Sequence, residues 1–157
     1  MLGGTTTYGT EMAIRRCTFH TNGENGLHLS DFPSSILIDS CLIFENFLNG
    51  LYLTRSPRDR HHRVTEGPVA LVRCQISRNR RFGLSVSRVP CELVETVIAE
   101  NSRGAVEVDE ESKGLIRFGE TNSTRLRELI KGDIGGEWGS LFPEKKPLCN
   151  NLDCCLL

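Results

Sequence analysis

Apolar and polar residues alternate in short runs along the first two thirds of the chain: Met12 and Ile14, Ile36 and Ile38, Val69 and Leu71, Cys91 and Leu93. A period of two is that of a strand with one buried face. Each run leads into a copy of one longer pattern. Cys-Thr-Phe-His-Thr-Asn-Gly-Glu-Asn-Gly-Leu-His-Leu, from Cys17 to Leu29, returns 24 residues later, where Cys41, Asn46, Asn49, Gly50, Leu51 and Leu53 are kept. A third copy, Cys74 to Val86, is displaced by 33 residues and retains Ile76, Asn79, Gly83, Leu84 and Val86. A fourth follows after 22 more, with Thr96, Ile98, Asn101, Val106 and Val108, and with Ala105 at the glycine position.

Each copy reads as strand, turn, strand, and with the preceding run makes a unit of 22 to 24 residues without a helical stretch. Units of that size fit the coils of a parallel β-helix better than a leucine-rich repeat or a propeller blade. The expected fold is therefore all-β: a right-handed parallel β-helix of four to five coils, in which stacking buries a continuous core. Equivalent residues of adjacent coils would lie about 4.8 Å apart. Cys17, Cys41 and Cys74 then form one inward column continued by Thr96, and Leu27, Leu51, Leu84 and Val106 form another. Asn22, Asn46, Asn79 and Asn101 would make an asparagine ladder, amide bonded to amide along the axis. Gly26, Gly50 and Gly83 are expected at a bend where φ turns positive.

The pattern Cys-x-[Phe/Ile]-x-x-Asn-x-x-x-Gly-Leu-x-Leu resembles the parallel β-helix repeats of carbohydrate-active enzymes, and more closely those of cytosolic F-box proteins that carry such repeats. The resemblance covers about residues 11 to 118. It implies a substrate-recognition module of an SCF-type (cullin-RING) ubiquitin ligase subunit, non-catalytic in itself. Its partner would be the protein to be ubiquitinated, with the ligase core engaged only by a longer form that carries an F-box. The alternative implied by the wider resemblance is a carbohydrate-binding or polysaccharide-active β-helix.

The second and third coils are interrupted by Arg55-Ser-Pro-Arg-Asp-Arg-His-His-Arg63, whose four arginines and one aspartate give a local charge of +3. Arg55, Arg58, Arg60 and Arg63 are the candidate partner-binding residues, suited to an acidic or phosphorylated surface; the plainer reading is a solvated loop. Further arginines at 73, 78, 80, 81 and 88 make this the basic part of a chain whose net charge is −1, which gives no reason to expect nucleic acid.

Beyond Phe118 the repeat fades. Ser123 opens a segment with Leu126, Leu129 and Ile130 at helical spacing, closed by Gly132. The organisation expected is β-helix repeats over 1–120, a cap built on a short amphipathic helix over 121–142, and a flexible lipidation tail over 143–157. At the other end, Gly3 to Gly9 leads into the first coil without a cap, as at the C-terminal part of a longer solenoid.

The ending Cys154-Cys155-Leu156-Leu157 fits a prenylation box, and the final Leu favours a geranylgeranyl group on Cys154. One lipid gives reversible attachment, so Cys149 is the candidate for a second, palmitoyl, anchor; an unmodified cysteine is the alternative there. Lys145 and Lys146 are too few for a polybasic patch. A prenyltransferase and a membrane surface thus join the expected partners, and the expected location is cytoplasmic, peripheral on membrane faces.

The start lacks a signal peptide and no apolar run approaches the roughly 18 residues that span a bilayer. Seven cysteines without Cys-x-x-Cys spacing suggest neither a disulfide framework nor a zinc knuckle, so no metal and no cofactor is expected. Asparagines fill the ladder where catalytic carboxylates would be needed. Glu107 and Asp109 share a strand face but read as a solvated acidic strand end. No catalytic residue is assigned.

Overall fold

The structure, a computed structural model, describes residues 11–32, 35–56, 67–109, 112, 115–119 and the backbone of 134–135. Four complete coils occupy residues 12–108. They are β1 (Met12–Arg15), β2 (Thr18–His20) and β3 (Leu27–Ser30); β4 (Ile36–Asp39), β5 (Leu42–Phe44) and β6 (Leu51–Thr54); β7 (Val69–Val72), β8 (Gln75–Ser77) and β9 (Phe82–Ser87); β10 (Cys91–Val94), β11 (Val97–Ala99) and β12 (Gly104–Val108). A fifth turn contributes β13 (Ile116–Phe118) and β14 (Ile134–Gly135).

Every pairing is parallel and joins one coil to the next. Three sheets result: β1-β4-β7-β10-β13 (sheet 1), β2-β5-β8-β11 (sheet 2) and β3-β6-β9-β12-β14 (sheet 3). The four to five coils of the repeat are thus present. β14 pairs with β12 (Val106 to Ile134), so the stack of sheet 3 reaches beyond residue 120. The expected helix at 123–132, the other cap residues and the tail lie outside the described residues.

The inward columns follow the register read from the spacing: Leu27 pairs Leu51, Leu51 pairs Leu84 and Leu84 pairs Val106. Ile38, Ile43, Leu51, Leu53, Leu71, Ile76, Leu84 and Ile98 are all fully buried. Each such side chain contributes about 1.5–3 kcal/mol relative to exposure, and β-branched or γ-branched residues pack well on the pleat.

The corners are built differently from the expectation. Gly26, Gly50 and Gly83 do not have positive φ; among the described glycines only Gly104 does, at 147°. They are glycines because the next coil leaves no room. A Cβ on Gly26 would lie 2.6 Å from Asn46 Nδ2 and 2.7 Å from the Gly50 carbonyl oxygen, and one on Gly50 would lie 2.7 Å from Asn79 Nδ2 and from the Gly83 oxygen. A Cβ on Gly83 would likewise lie 2.7 Å from Asn101 Nδ2, and on the fourth coil the equivalent position carries Ala105.

Among the described residues the left-handed backbone falls instead on non-glycine residues at the corners, eight of them in two columns and two, Asp31 (46°) and Arg88 (59°), at the corner after sheet 3. Between sheets 1 and 2 these are Arg16, Ser40, Arg73 and Glu95, with φ of 54°, 55°, 51° and 47°. Between sheets 2 and 3 they are Thr21, Glu45, Arg78 and Glu100, with φ of 53°, 55°, 53° and 58°. Such a residue costs about 1–2 kcal/mol, and hydrogen bonding across coils offsets it. The bend residues keep their N–H in the ladder, Arg16 to Asp39 O, Ser40 to Val72 O and Arg73 to Val94 O, each at 2.9 Å.

The carbonyl two residues before each bend accepts from an inward side chain of the following coil. Cys41 Sγ donates to Ile14 O (3.6 Å), Cys74 Sγ to Ile38 O (3.3 Å) and Thr96 Oγ1 to Leu71 O (3.0 Å). At the second bend Asn46, Asn79 and Asn101 donate through Nδ2 to Phe19, Ile43 and Ile76 O at 3.2, 3.4 and 3.3 Å. The cysteine and asparagine columns therefore do the same work. They satisfy buried carbonyls at the corners, which explains why a threonine substitutes for a cysteine.

Candidate interaction surfaces

The asparagine ladder fixes the turn between sheets 2 and 3. Asn22, Asn46 and Asn79 each donate from Nδ2 to the next Oδ1 at 2.9 Å, and the same oxygens accept from the backbone N–H of Asn22, Asn46 and Asn79 at 3.1, 3.0 and 3.0 Å. Asn46 and Asn79 are fully buried, while Asn22 is exposed on the first described coil. A shorter second ladder stands beside it: Asn25 Oδ1 accepts from Asn49 N (3.0 Å) and Asn49 Oδ1 from Phe82 N (3.2 Å). Asn49 recurs in the repeat, and that recurrence was the signal for this ladder.

Of the thiols, Cys17 is half-buried and Cys41, Cys74 and Cys91 are buried and free. Burial pushes the Cys74 thiol up to about 11 and raises that of Cys91 further still. Neither supplies a thiolate near neutral pH.

The outward positions are the surfaces available to a partner. On sheet 3, His28 stacks on Tyr52 with ring centroids 4.8 Å apart, and the same column continues as Ser85 and Glu107, joined at 2.8 Å. Beside it Ser87 Oγ donates to Asp109 at 2.6 Å. Burial opposes ionisation of Asp109, but the hydrogen bonds from Ser112 and Ser87 and the charge of Arg88 outweigh it and hold the carboxyl below its ordinary range. Glu107 and Asp109 are thus neighbours on one face, as their spacing implies, and both carboxylates are occupied by serine hydroxyls.

On sheet 1 the Asp39 carboxyl is lowered chiefly by the Ser40 hydroxyl (2.9 Å), with Arg73 at 2.7 Å adding to it against some desolvation. Near the start of β10 a cavity of about 300 Å³ lies between Pro68, Pro90, Cys91, Glu92, Leu115 and Arg117. Among the described residues no group of three or more His, Cys, Asp or Glu is placed to hold a metal ion.

The residues that flank the arginine-rich segment are in contact with each other. Arg55 lies over the Phe32 ring, 4.8 Å from its centroid, and donates through Nη2 to the Gly67 carbonyl at 3.2 Å. Gly67 packs so tightly on Ser35 that a Cβ would collide with its backbone. Arg55 thereby joins the two ends of the insertion. Arg58, Arg60 and Arg63 lie outside the described residues, as do Cys149 and Cys154.

Sheet 2 carries a surface that the repeat pattern did not single out. His20 stacks on Phe44 at 5.1 Å, Arg78 lies over Phe44 at 5.7 Å while bridging Glu45 at 3.1 Å, and Arg80 lies over Phe47 at 4.7 Å. These pairs join one coil to the next at outward positions, where no residue type recurs. Only the arginine-rich composition of this stretch hinted at them.

Residues 2–116, nearly three quarters of the chain, match the family model of the right-handed β-helix region. No curated protein and no solved structure matches. The matched span contains all four complete coils and ends at Ile116, the first residue of β13, and the chain belongs to the right-handed β-helix family.

Proposed function

We propose that the chain is a non-catalytic protein-interaction module, the substrate-recognition part of an SCF-type (cullin-RING) ubiquitin ligase subunit, held on cytoplasmic membrane faces by a geranylgeranyl group on Cys154. The observation that carries the interaction reading is the Arg55 clamp. Arg58, Arg60 and Arg63 belong to a segment whose two flanks, Arg55 and Gly67, are bonded to each other at a corner of the stack, so a charged stretch of sequence is tied to a rigid base. A fixed base lowers the ordering cost when an acidic partner docks. The repeat pattern that resembles β-helix F-box proteins supports the ligase role, and the terminal Cys-Cys-Leu-Leu supports the anchor.

Reversing the charge of Arg58, Arg60 and Arg63 together should abolish capture and ubiquitination of the docked protein while the melting temperature stays unchanged. Equal capture by parent and variant would overturn the loop as docking element. Cys154→Ser removes the nucleophile for prenylation without touching the coils, so the variant should move from the membrane to the cytosolic fraction. Unchanged fractionation, or an unmodified C-terminus by intact mass, refutes the anchor.

A carbohydrate-binding role is the second reading. It is favoured by the His28–Tyr52 stack beside the Ser85–Glu107 pair, an aromatic platform next to hydrogen-bonding groups. Specific binding on a glycan array, lost in Tyr52→Ala, would establish it in place of the first.

A further inference from the structure

We infer that the outer face of sheet 2, with the turn that follows it, is a docking surface for an acidic protein segment carrying apolar side chains. The inference rests on the interaction-module reading and assigns it a face distinct from the arginine loop, with a partner chemistry.

The apolar part is exposed and firmly placed. Leu42 and Phe47 are 44% and 52% exposed, among the few large hydrophobic side chains so open in the described residues. Phe47 N donates to Asn22 O at 3.0 Å, and its neighbour Asn46 is locked in the ladder, so the aromatic ring is presented by fixed backbone. Aromatic and arginine side chains together, on a surface that loses little freedom on binding, have the composition of interface hot spots.

The cationic part sets the sign of the partner. Arg78 is neutralised by Glu45, whereas Arg80, Arg81 and Arg103 form no ion pair with any described carboxylate. Arg81 N donates to Leu48 O and Arg103 N to Arg81 O. Arg81 and Arg103 thus occupy equivalent places on adjacent coils, with backbones about 4.8 Å apart. Like charges stacked in this way repel each other, and carboxylates on a partner relieve the repulsion.

Glu45 and Glu100 stand in the same turn on either side of Arg78. They oppose a continuous polyanion such as nucleic acid. A protein segment can place its carboxylates against Arg81 and Arg103 and its apolar side chains against Leu42 and Phe47.

The test pans an unbiased displayed peptide library on the purified full chain. In parallel, it measures by fluorescence anisotropy a synthetic peptide alternating Glu with Leu and Phe, its Lys counterpart, and single-stranded oligo-dT. The library should enrich acidic–apolar peptides. The Glu peptide should bind and the Lys peptide should not. Arg81→Glu with Arg103→Glu should weaken it by about tenfold or more and Phe47→Ser by about fivefold, with melting curves unchanged. Peptides unaffected by these variants but lost on reversal of Arg58, Arg60 and Arg63 would overturn this face and leave the interaction module standing. Tighter binding of oligo-dT would overturn the partner class. Enrichment of no peptide would sink both readings.

Discussion

Asn46→Asp exchanges one atom in the middle of the ladder, and its effect follows from the four bonds the amide makes. Oδ1 accepts from Asn22 N and Nδ2, at 3.1 and 2.9 Å, and these bonds survive. Nδ2 donates to Asn79 Oδ1 and to Phe19 O at 2.9 and 3.2 Å, and an oxygen in its place faces two acceptors. The site is fully buried, so the introduced carboxyl must take up a proton to remain there. Moving its pKa from the ordinary ~3.9 to above 7 costs about 4 kcal/mol at pH 7. The protonated acid then restores one of the two donor bonds and forfeits the other, about 1 kcal/mol more.

The total of about 5 kcal/mol is a large part of the stability of a typical domain, about 5–15 kcal/mol. Its pH dependence is the signature. A carboxyl whose folded pKa is raised carries no penalty below its unfolded pKa, and the penalty grows by about 1.4 kcal/mol per pH unit as the pH rises above it. Urea unfolding of parent and variant at pH 4, 5.5 and 7 should show the difference shrinking to about 1 kcal/mol at the acid end. Asn22→Asp, on the exposed end of the ladder, provides a folded comparison, because its carboxylate stays hydrated. A loss below about 1 kcal/mol at pH 7, or one that does not change with pH, would refute an interior ladder bonded in this way.

The corners predict further outcomes. Gly50→Ala should destabilise by about 1–3 kcal/mol through collision with Ile76, Asn79 and the Gly83 carbonyl, whereas Gly23→Ala, with open space at that position, should be near neutral in the same thermal melts. Cys74→Thr should be tolerated, since Thr96 makes the equivalent bond in the next coil; a loss above about 2 kcal/mol would show that the thiol is needed for shape rather than as a donor. The raised thiol of Cys74 predicts an alkaline limb: its contribution is intact below pH 9 and is lost through pH 11, at about 1.4 kcal/mol per pH unit, and Cys74→Thr should flatten that limb. In acid, the lowered carboxyl of Asp109 should make stability fall as the pH drops through and below the ordinary carboxylate range, a trend that Asp109→Asn should reduce in urea titrations.

The inward half of the molecule was legible because parallel stacking places each residue on its own equivalent. A buried position occupied by Leu27, Leu51 and Leu84 must recur, and its recurrence reveals coil length and register together. The corners were harder to read. Arg16, Ser40, Arg73 and Glu95 share a left-handed conformation and no chemistry, since bonding to the next coil imposes the bend. The recurrence of Gly26, Gly50 and Gly83 in the repeat marked the right residues but for another physical reason, which only the position of the following coil discloses. The contacts of Arg78 and Arg80 with Phe44 and Phe47 escape pattern reading because outward residues meet neighbours of unlike type.

The asparagine ladder also has a direction. Asn22, Asn46 and Asn79 each donate to the following coil, and the oxygens of Asn46, Asn79 and Asn101 each accept from the preceding one, so the side-chain dipoles add along the solenoid axis instead of cancelling. The two ends are chemically unlike: Asn22 presents an acceptor, and Asn101 is a donor whose NH₂ is turned back onto Ile76 and Ala99 carbonyls. Any strand that extends this stack at the first coil must therefore arrive with donors, and an inverted coil would set oxygen against oxygen. The same few atoms that close the corners give the stack a polarity, permitting head-to-tail continuation through the ladder and opposing head-to-head assembly.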